Sequence, residues 1–327
     1  MKSWRFHEFG KIENLKLEEI PVPVPADDEA LIKLEYAALN PADKFLVMGQ
    51  YPRPGKPPFA VGRDGCGTIE VAAKNGKFKK GDRVIILRSE IGVSREGTLA
   101  QYVTVPEESL APLPEGWKPE EGAAGPLVQL TAWQALVDEG GCEPGKTVLV
   151  TGASGGVGTA AVLQAKALGA QVVALSRSEG KREKLRAMGA DYVYDTNDPD
   201  LVRKVQEDLE GGRCDIVVEN LAGPFLQKSI NLTGYKGRIC VMGLLAGLKS
   251  DIIIGTFMFK RIHIIGIAVG DYTPAEAQSA WNKIVETLKK TKQRPLVDRI
   301  FPIEQVQEAF EHLSKGPMGK VVIGPMN

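Results

Sequence analysis

The sequence predicts an α/β protein in two parts, a β-rich module and a doubly wound parallel sheet. Three observations carry this reading. Residues 1 to about 120 hold short β-type runs separated by Pro- and Gly-rich turns. From about 120 onward, apolar strand-like runs alternate with helical patterns, as βαβ units do. Between 146 and 168 a strand runs through a glycine-rich turn directly into a helix. A length of 327 residues, against about 150 per domain, points to two domains.

In chain order, β-type runs are expected at Ala30 to Tyr36, Cys66 to Val71, Asp82 to Leu87 and Ala100 to Val105. The stretches Pro21-Val-Pro-Val-Pro25 and Tyr51-Pro-Arg-Pro-Gly-Lys-Pro-Pro58 read as edges or loops, because proline cannot donate to a central ladder. The parallel sheet is expected to use Thr147 to Val150, Gln171 to Leu175, Tyr192 to Tyr194, Asp215 to Val218, Arg238 to Met242 and His263 to Ala268. Helices with apolar positions at helical spacing separate them at Val157 to Leu168, Lys181 to Met188 and Pro199 to Leu209. The tail carries helical patterns at Pro274 to Lys289 and Glu304 to Ser314 and strand-like runs at Val297 to Phe301 and Lys320 to Ile323. It is too short to stand alone and is expected to return to the first domain.

Composition narrows the function. Lys plus Arg and Asp plus Glu each number 41, so no global field draws the chain to nucleic acid or anionic lipid. A small-molecule ligand fits better. The first residues lack the apolar core of a secretory signal, and no apolar run approaches the roughly 20 residues of a membrane span, so a cytoplasmic location is expected. The four cysteines, Cys66, Cys142, Cys214 and Cys240, are scattered, which reads as reduced core thiols and not a disulfide framework.

The chemistry begins at the glycine turn. Lys146-Thr-Val-Leu-Val150 is a short buried strand leading into Gly152-Ala-Ser-Gly-Gly-Val-Gly158 and then a helix. Glycines let the backbone approach a pyrophosphate, whose charge meets the free amides and positive end of the helix. Ser154, Gly155, Gly156 and Val157 are the candidate phosphate contacts, although Ala153 replaces the first Gly of the usual G-x-G-x-x-G. About twenty residues on, an NAD site carries an acid for the ribose diol. Here Ser176-Arg177-Ser178 stands instead, with Lys181 following. Ser176, Arg177 and Lys181 suit a 2′-phosphate, which an acid there would repel, so NADPH is the expected cofactor.

With these residues in place, the chain resembles the medium-chain dehydrogenase/reductase superfamily and, within it, the zinc-free quinone oxidoreductases related to zeta-crystallin. The matching pieces run nearly end to end: Leu39-Asn-Pro-Ala-Asp43, Gly49-Gln-Tyr51, Gly62-Arg-Asp-Gly-Cys-Gly67, Lys79-Lys-Gly-Asp-Arg-Val84, Gly97-Thr-Leu-Ala-Gln-Tyr102, Leu130-Thr-Ala-Trp133, the glycine turn and Gly319-Lys-Val-Val322. The resemblance implies a GroES-like catalytic domain from 1–122 and 268–327, and a Rossmann domain over 123–267. It also implies a homodimer formed through the Rossmann sheet.

Zinc-dependent relatives place a Cys near Asn40, a Gly-His-Glu segment where this chain has Gly62-Arg63-Asp64, and often a four-Cys lobe near 90 to 110. None of those ligands is present, and the only histidines are His7, His263 and His312, so zinc is not expected. Without a metal, the site can still reduce a carbon–carbon double bond conjugated to a carbonyl, given donors for the anion that forms. The resemblance places Asn40, Asp43 and Tyr51 on a loop over the nicotinamide, and Tyr51 matches the proton-donating tyrosine of the related enoyl-thioester reductases; a brace for the proline-rich loop is the other reading of Tyr51. Asp43, as an acid in a polar loop, is expected to stay ionised and accept loop amides. Asn220 and Gly243 lie at carboxyl ends of parallel strands, where ligands of open sheets bind. Thr131 and Val269 match family positions near the nicotinamide.

The expected function is NADPH-dependent reduction of a quinone or α,β-unsaturated carbonyl. Alternatives from the same residues are an enoyl-thioester reductase, a metal-free alcohol or aldehyde reductase, and an NADPH-binding structural or sensor protein without turnover.

Overall fold

A computed structural model of the chain describes residues 1–52, 54–209 and 211–326. Arg53, inside the second proline-rich stretch, lies outside the described residues, as do Glu210 and Asn327. The chain forms two units, one from 1–127, 270–281 and 294–327, the other from 128–269 and 282–293.

In the first unit, the ten-residue strand Glu29–Ala38 is central. It pairs antiparallel with Asp64–Val71, Tyr102–Pro106 and Lys320–Ile323, and the last of these pairs in parallel with Val297–Phe301. Arg83–Ile86 and Leu110–Pro112 extend the sheet beyond Asp64–Val71. The C-terminal residues therefore complete a sheet that the N-terminal residues begin. A second, three-stranded sheet holds Lys2–Phe6 between Lys16–Glu19 and Phe59–Ala60. Alternation explains why Lys2–Phe6 stays paired: Trp4 and Phe6 point into the core, where the Trp4 indole donates to the Ile303 carbonyl at 2.6 Å and Phe6 meets Phe59 edge-on at 4.9 Å. Each fully buried side chain of this size contributes about 1.5–3 kcal/mol. Pro21–Pro25 carries no regular structure, as its missing donors require.

The second unit is a six-stranded parallel sheet in the order Tyr192–Tyr194, Gln171–Leu175, Thr147–Val150, Cys214–Glu219, Thr233–Val241, His263–Gly266. Strand order reverses between Thr147–Val150 and Cys214–Glu219, which is the Rossmann arrangement and creates its ligand crevice at that point. The fold is thus a GroES-like module with a Rossmann sheet, as expected. The fifth strand begins at Thr233 and not Arg238, because Gly234, Gly237 and the left-handed Lys236 (φ 57°) break the alternation that marks a strand in sequence.

One expectation fails locally. The segment from Asn40 to Tyr51 contains a helix, Pro41–Val47, with Asn40 as its N-cap. Pro at the first helical position and Asp three residues after the cap are ordinary helix-start signals that the neighbouring Pro and Gly residues obscure. No helix among the described residues is long and apolar enough to cross a membrane.

Candidate active site

The glycine turn joins Thr147–Val150 to the helix Gly156–Ala167, whose N-cap is Gly155. No side chain caps this helix and no acid sits in its first turn, so the amides of Gly156 and Val157 are offered to an outside acceptor. The turn must be tight. A Cβ on Gly158 would lie 2.4 Å from the Gly152 carbonyl oxygen and 2.6 Å from Ala153 Cα. Gln171–Leu175 ends beside it, where the buried Ser176 hydroxyl donates to Ser154 Oγ at 3.4 Å. Arg177 follows, exposed and in no ion pair among the described residues, whereas Arg182 is ion-paired with Glu179 and Asp195. Lys181 is half-buried in the first turn of the helix Glu179–Ala187.

Across the switch point, Asn220 is tied to the same turn. Its amide nitrogen and its backbone N–H donate to the carbonyl and hydroxyl of Thr151, both at 2.8 Å. Gly243 packs so closely on Asn220 that a Cβ there would lie 2.2 Å from the Asn220 carbonyl oxygen. Behind them lies Glu219, fully buried, which accepts from the Thr151 hydroxyl, the N–H groups of Leu221 and Ala222, and Ser229 Oγ. That carboxylate welds the ends of two strands together, and buried charge is tolerated only with such complete hydrogen bonding. Thr131 is buried in the helix Pro126–Trp133, and Val269 opens the turn Val269–Asp271.

In the first unit, three charged groups and one amide cluster. Asn40, Asp43, Asp64 and Lys320 are each at most 4% exposed. Asn40 Nδ2 donates to Asp64 Oδ2 at 2.9 Å, and Lys320 Nζ reaches Asn40 Oδ1 at 2.5 Å and Asp64 Oδ2 at 3.0 Å. Asp64 Oδ1 accepts from the Leu127 N–H at 3.0 Å. Asp43 Oδ2 accepts from the Asn40 N–H at 2.8 Å while its Oδ1 has no partner among the described residues. Asp43 is therefore not an acid in a polar loop. Burial pushes its carboxyl up to about 6, against the opposing pull of the Asn40 N–H, Lys320 and Arg63. It remains an amide acceptor, held closer to protonation than a loop acid.

Of the three expected catalytic side chains, Asn40 and Asp43 are buried, and Tyr51 alone is half-exposed. Tyr51 packs on the first unit's core and its hydroxyl accepts from Arg63 Nη1 at 3.1 Å. The cysteines offer no nucleophile near neutral pH, since burial pushes the Cys66, Cys214 and Cys240 thiols up to about 12 and Cys142 to about 11. Among the described residues no three His, Cys, Asp or Glu side chains gather to hold a metal.

The alcohol dehydrogenase GroES-like domain family matches residues 26–115, and the zinc-binding dehydrogenase family matches 156–290. A quinone oxidoreductase of Pongo abelii is 31% identical, with 99% of this chain and 97% of the relative covered. The chain belongs to the medium-chain dehydrogenase/reductase superfamily. Other members near it include an acryloyl-coenzyme A reductase of Sulfurisphaera tokodaii, 31% identical over 97% of this chain and 98% of the relative. Among solved structures, an NAD-dependent alcohol dehydrogenase superposes with a TM-score of 0.91 at 30% identity, covering 99% of both chains. The quinone oxidoreductase of Thermus thermophilus, solved alone and with NADPH, superposes at 0.82 and 29% identity, covering 99% of this chain and 100% of its own. As a medium-chain dehydrogenase/reductase, the protein is an oxidoreductase.

Sequence reasoning did not single out Arg63, Asp64, Lys320 or Glu219 as site residues. Arg63 and Asp64 entered the sequence reading as part of the matching piece Gly62 to Gly67 and as replacements in a Gly-His-Glu segment, with no role of their own. Lys320 is 256 residues from Asp64 in sequence, and only the strand pairing of Lys320–Ile323 with Glu29–Ala38 brings the two together.

Proposed function

We propose that this medium-chain dehydrogenase/reductase is a zinc-independent, NADPH-dependent reductase of quinones or α,β-unsaturated carbonyls. The observation that carries the reading is the uncapped helix end at Gly155 set against Ser176 and against Arg177, which makes no ion pair among the described residues. These residues fit a dinucleotide phosphate: the turn leaves no room for a side chain at Gly158, and its first-turn amides have no internal cap. In this reading Ser154, Gly155, Gly156 and Val157 hold the pyrophosphate, Ser176, Arg177 and Lys181 hold the 2′-phosphate, and Thr131, Asn220, Gly243 and Val269 border the rest of the cofactor. We retain 1–122 with 268–327 as the catalytic part and 123–267 as the cofactor part. The NADPH complex of the Thermus quinone oxidoreductase supports this choice of cofactor.

Bound NADPH supplies hydride. Tyr51 holds the substrate's carbonyl oxygen by its O–H and serves as the proton donor there. Asn40 and Asp43 position the helix that precedes Tyr51, Asn40 through Asp64 and Lys320, and Asp43 through the Asn40 N–H. Zinc independence is supported by the donor set, since Arg63 stands at the expected histidine ligand position and a guanidinium does not ligate. The acryloyl-coenzyme A reductase relative supports a second reading, reduction of an enoyl thioester by the same residues.

The cofactor assignment is tested by titrating NADPH and NADH into wild type and Arg177→Asp. NADPH binds wild type more tightly, and the variant loses at least about tenfold in NADPH affinity, or about 1.4 kcal/mol, while NADH is little changed. Equal wild-type affinities for the two cofactors contradict it.

A further inference from the structure

Arg63 lies between Gly62 and the strand Asp64–Val71 and is half-buried. The other charges of its cluster each have a hydrogen-bond partner: Lys320 binds Asp64 and Asn40, and Asp43 takes the Asn40 N–H through Oδ2. Among the described residues the Arg63 Nε is buried without a hydrogen-bond partner and no carboxylate forms an ion pair with Arg63. Its charge reaches Asp43 only over a longer range, where it opposes the effect of burial on that carboxyl. Leaving a guanidinium N–H buried and unsatisfied is costly, and an anionic acceptor brought to it recovers that cost.

The Tyr51 contact adds the second donor. Arg63 Nη1 donates into the phenol oxygen at 3.1 Å, and its guanidinium carbon lies 6.0 Å from the ring centroid. With one lone pair of the oxygen taken by the guanidinium, the Tyr51 hydrogen is directed to another acceptor. A fixed cation and an O–H donor thus sit side by side on the half-exposed part of the cluster.

We infer that Arg63 and Tyr51 form an oxyanion-binding pair that receives the planar enolate or phenolate oxygen of the substrate, with Arg63 supplying the charge. The inference rests on the proposed reductase reading, in which negative charge develops on a carbonyl oxygen. Charge-assisted hydrogen bonds in a partly buried site are the strong ones, and a point cation there does part of the work of a metal Lewis acid.

The probe is 4-nitrophenolate, whose absorbance separates anion from phenol, with 4-nitroanisole as its neutral counterpart. Both are titrated into the full-length protein without added cofactor, as wild type, Arg63→Gln, Arg63→Lys and Tyr51→Phe, each checked for folding by thermal unfolding. Wild type binds the phenolate, Arg63→Gln weakens it at least about tenfold, Arg63→Lys restores part of the loss, and Tyr51→Phe weakens it less than Arg63→Gln. Binding of 4-nitroanisole is unchanged by either Arg63 variant. Equal phenolate affinity in wild type and Arg63→Gln, no phenolate binding by wild type, or an equal loss for 4-nitroanisole overturns the pair. A parallel assay of NADPH oxidation by wild type separates the two ideas: absence of turnover with every acceptor defeats the reductase reading, while turnover with an unaltered phenolate titration defeats only this inference.

Discussion

Asp43 shows how one buried side chain couples the site to pH. Its carboxyl is raised from 3.8 to about 6, so between those values the folded protein holds a proton that the unfolded chain has released. Stability from this group is therefore greatest below about 4 and falls as pH rises through 6, by about 3 kcal/mol in all at about 1.36 kcal/mol per unit. Asp43→Asn keeps an acceptor for the Asn40 N–H and removes the titration. The unfolding free energy of wild type minus that of Asp43→Asn is expected to fall by up to about 3 kcal/mol between about pH 4 and pH 7, measured by denaturant unfolding. A difference that stays constant across this range means that Asp43 is not held in the charged form against its burial. The same residue marks a limit of sequence reading. Its neighbours Pro41 and Gly49 look like loop residues, and its place three and four residues before the buried Leu46 and Val47, on one face of a helix, reveals itself only once the helix is known.

Among the elements, the strand–turn–helix from Thr147 to Ala167 was the most legible, because apolar continuity, glycine spacing and helical periodicity agree there. The Gln171–Leu175 strand, the Tyr192–Tyr194 strand and the Pro274–Thr291 helix were readable for the same reason. The Lys2–Phe6 and Lys16–Glu19 strands were not, since each is short and gains its identity from a partner outside its own sequence neighbourhood. The polar cluster was illegible in the same way: Asn40, Asp64 and Lys320 come from three separate elements. The turn itself makes a sharp prediction. Gly158→Ala places a methyl against Gly152 and Ala153 backbone atoms that cannot yield, at a cost of about 1–3 kcal/mol. The thermal midpoint is expected to drop by roughly 2–4 °C per kcal/mol, and NADPH affinity with it. An unchanged midpoint and affinity would mean that the turn relaxes freely.

For the whole molecule, the second unit ends in a strand that invites a partner. His263–Gly266 is the last strand of its sheet and its residues are largely exposed. Close to it in sequence, Leu248 and Phe259 are 82% and 78% exposed, and Ile253, Ile254 and Met258 also face solvent. An unprotected edge with apolar neighbours is a template for pairing, and a second copy can match it through a two-fold axis. We propose a homodimer at this edge. Sedimentation is expected to give a dimer for wild type and a monomer with unchanged circular dichroism for Ile264→Lys combined with Phe259→Asp; a wild-type monomer rules the edge out as an interface.

Dependence on NADPH and independence of metal are tested together, and most directly, by NADPH oxidation with protein exhaustively dialysed against a chelator. Quinones, enones, an enoyl thioester and saturated aldehydes are offered in turn. Turnover of a quinone or enone is predicted to persist without metal, to gain nothing from added zinc, and to fall by roughly 10²–10⁴-fold in Tyr51→Phe. Turnover only after zinc is restored, or only with saturated aldehydes, contradicts a zinc-independent quinone or enone reductase.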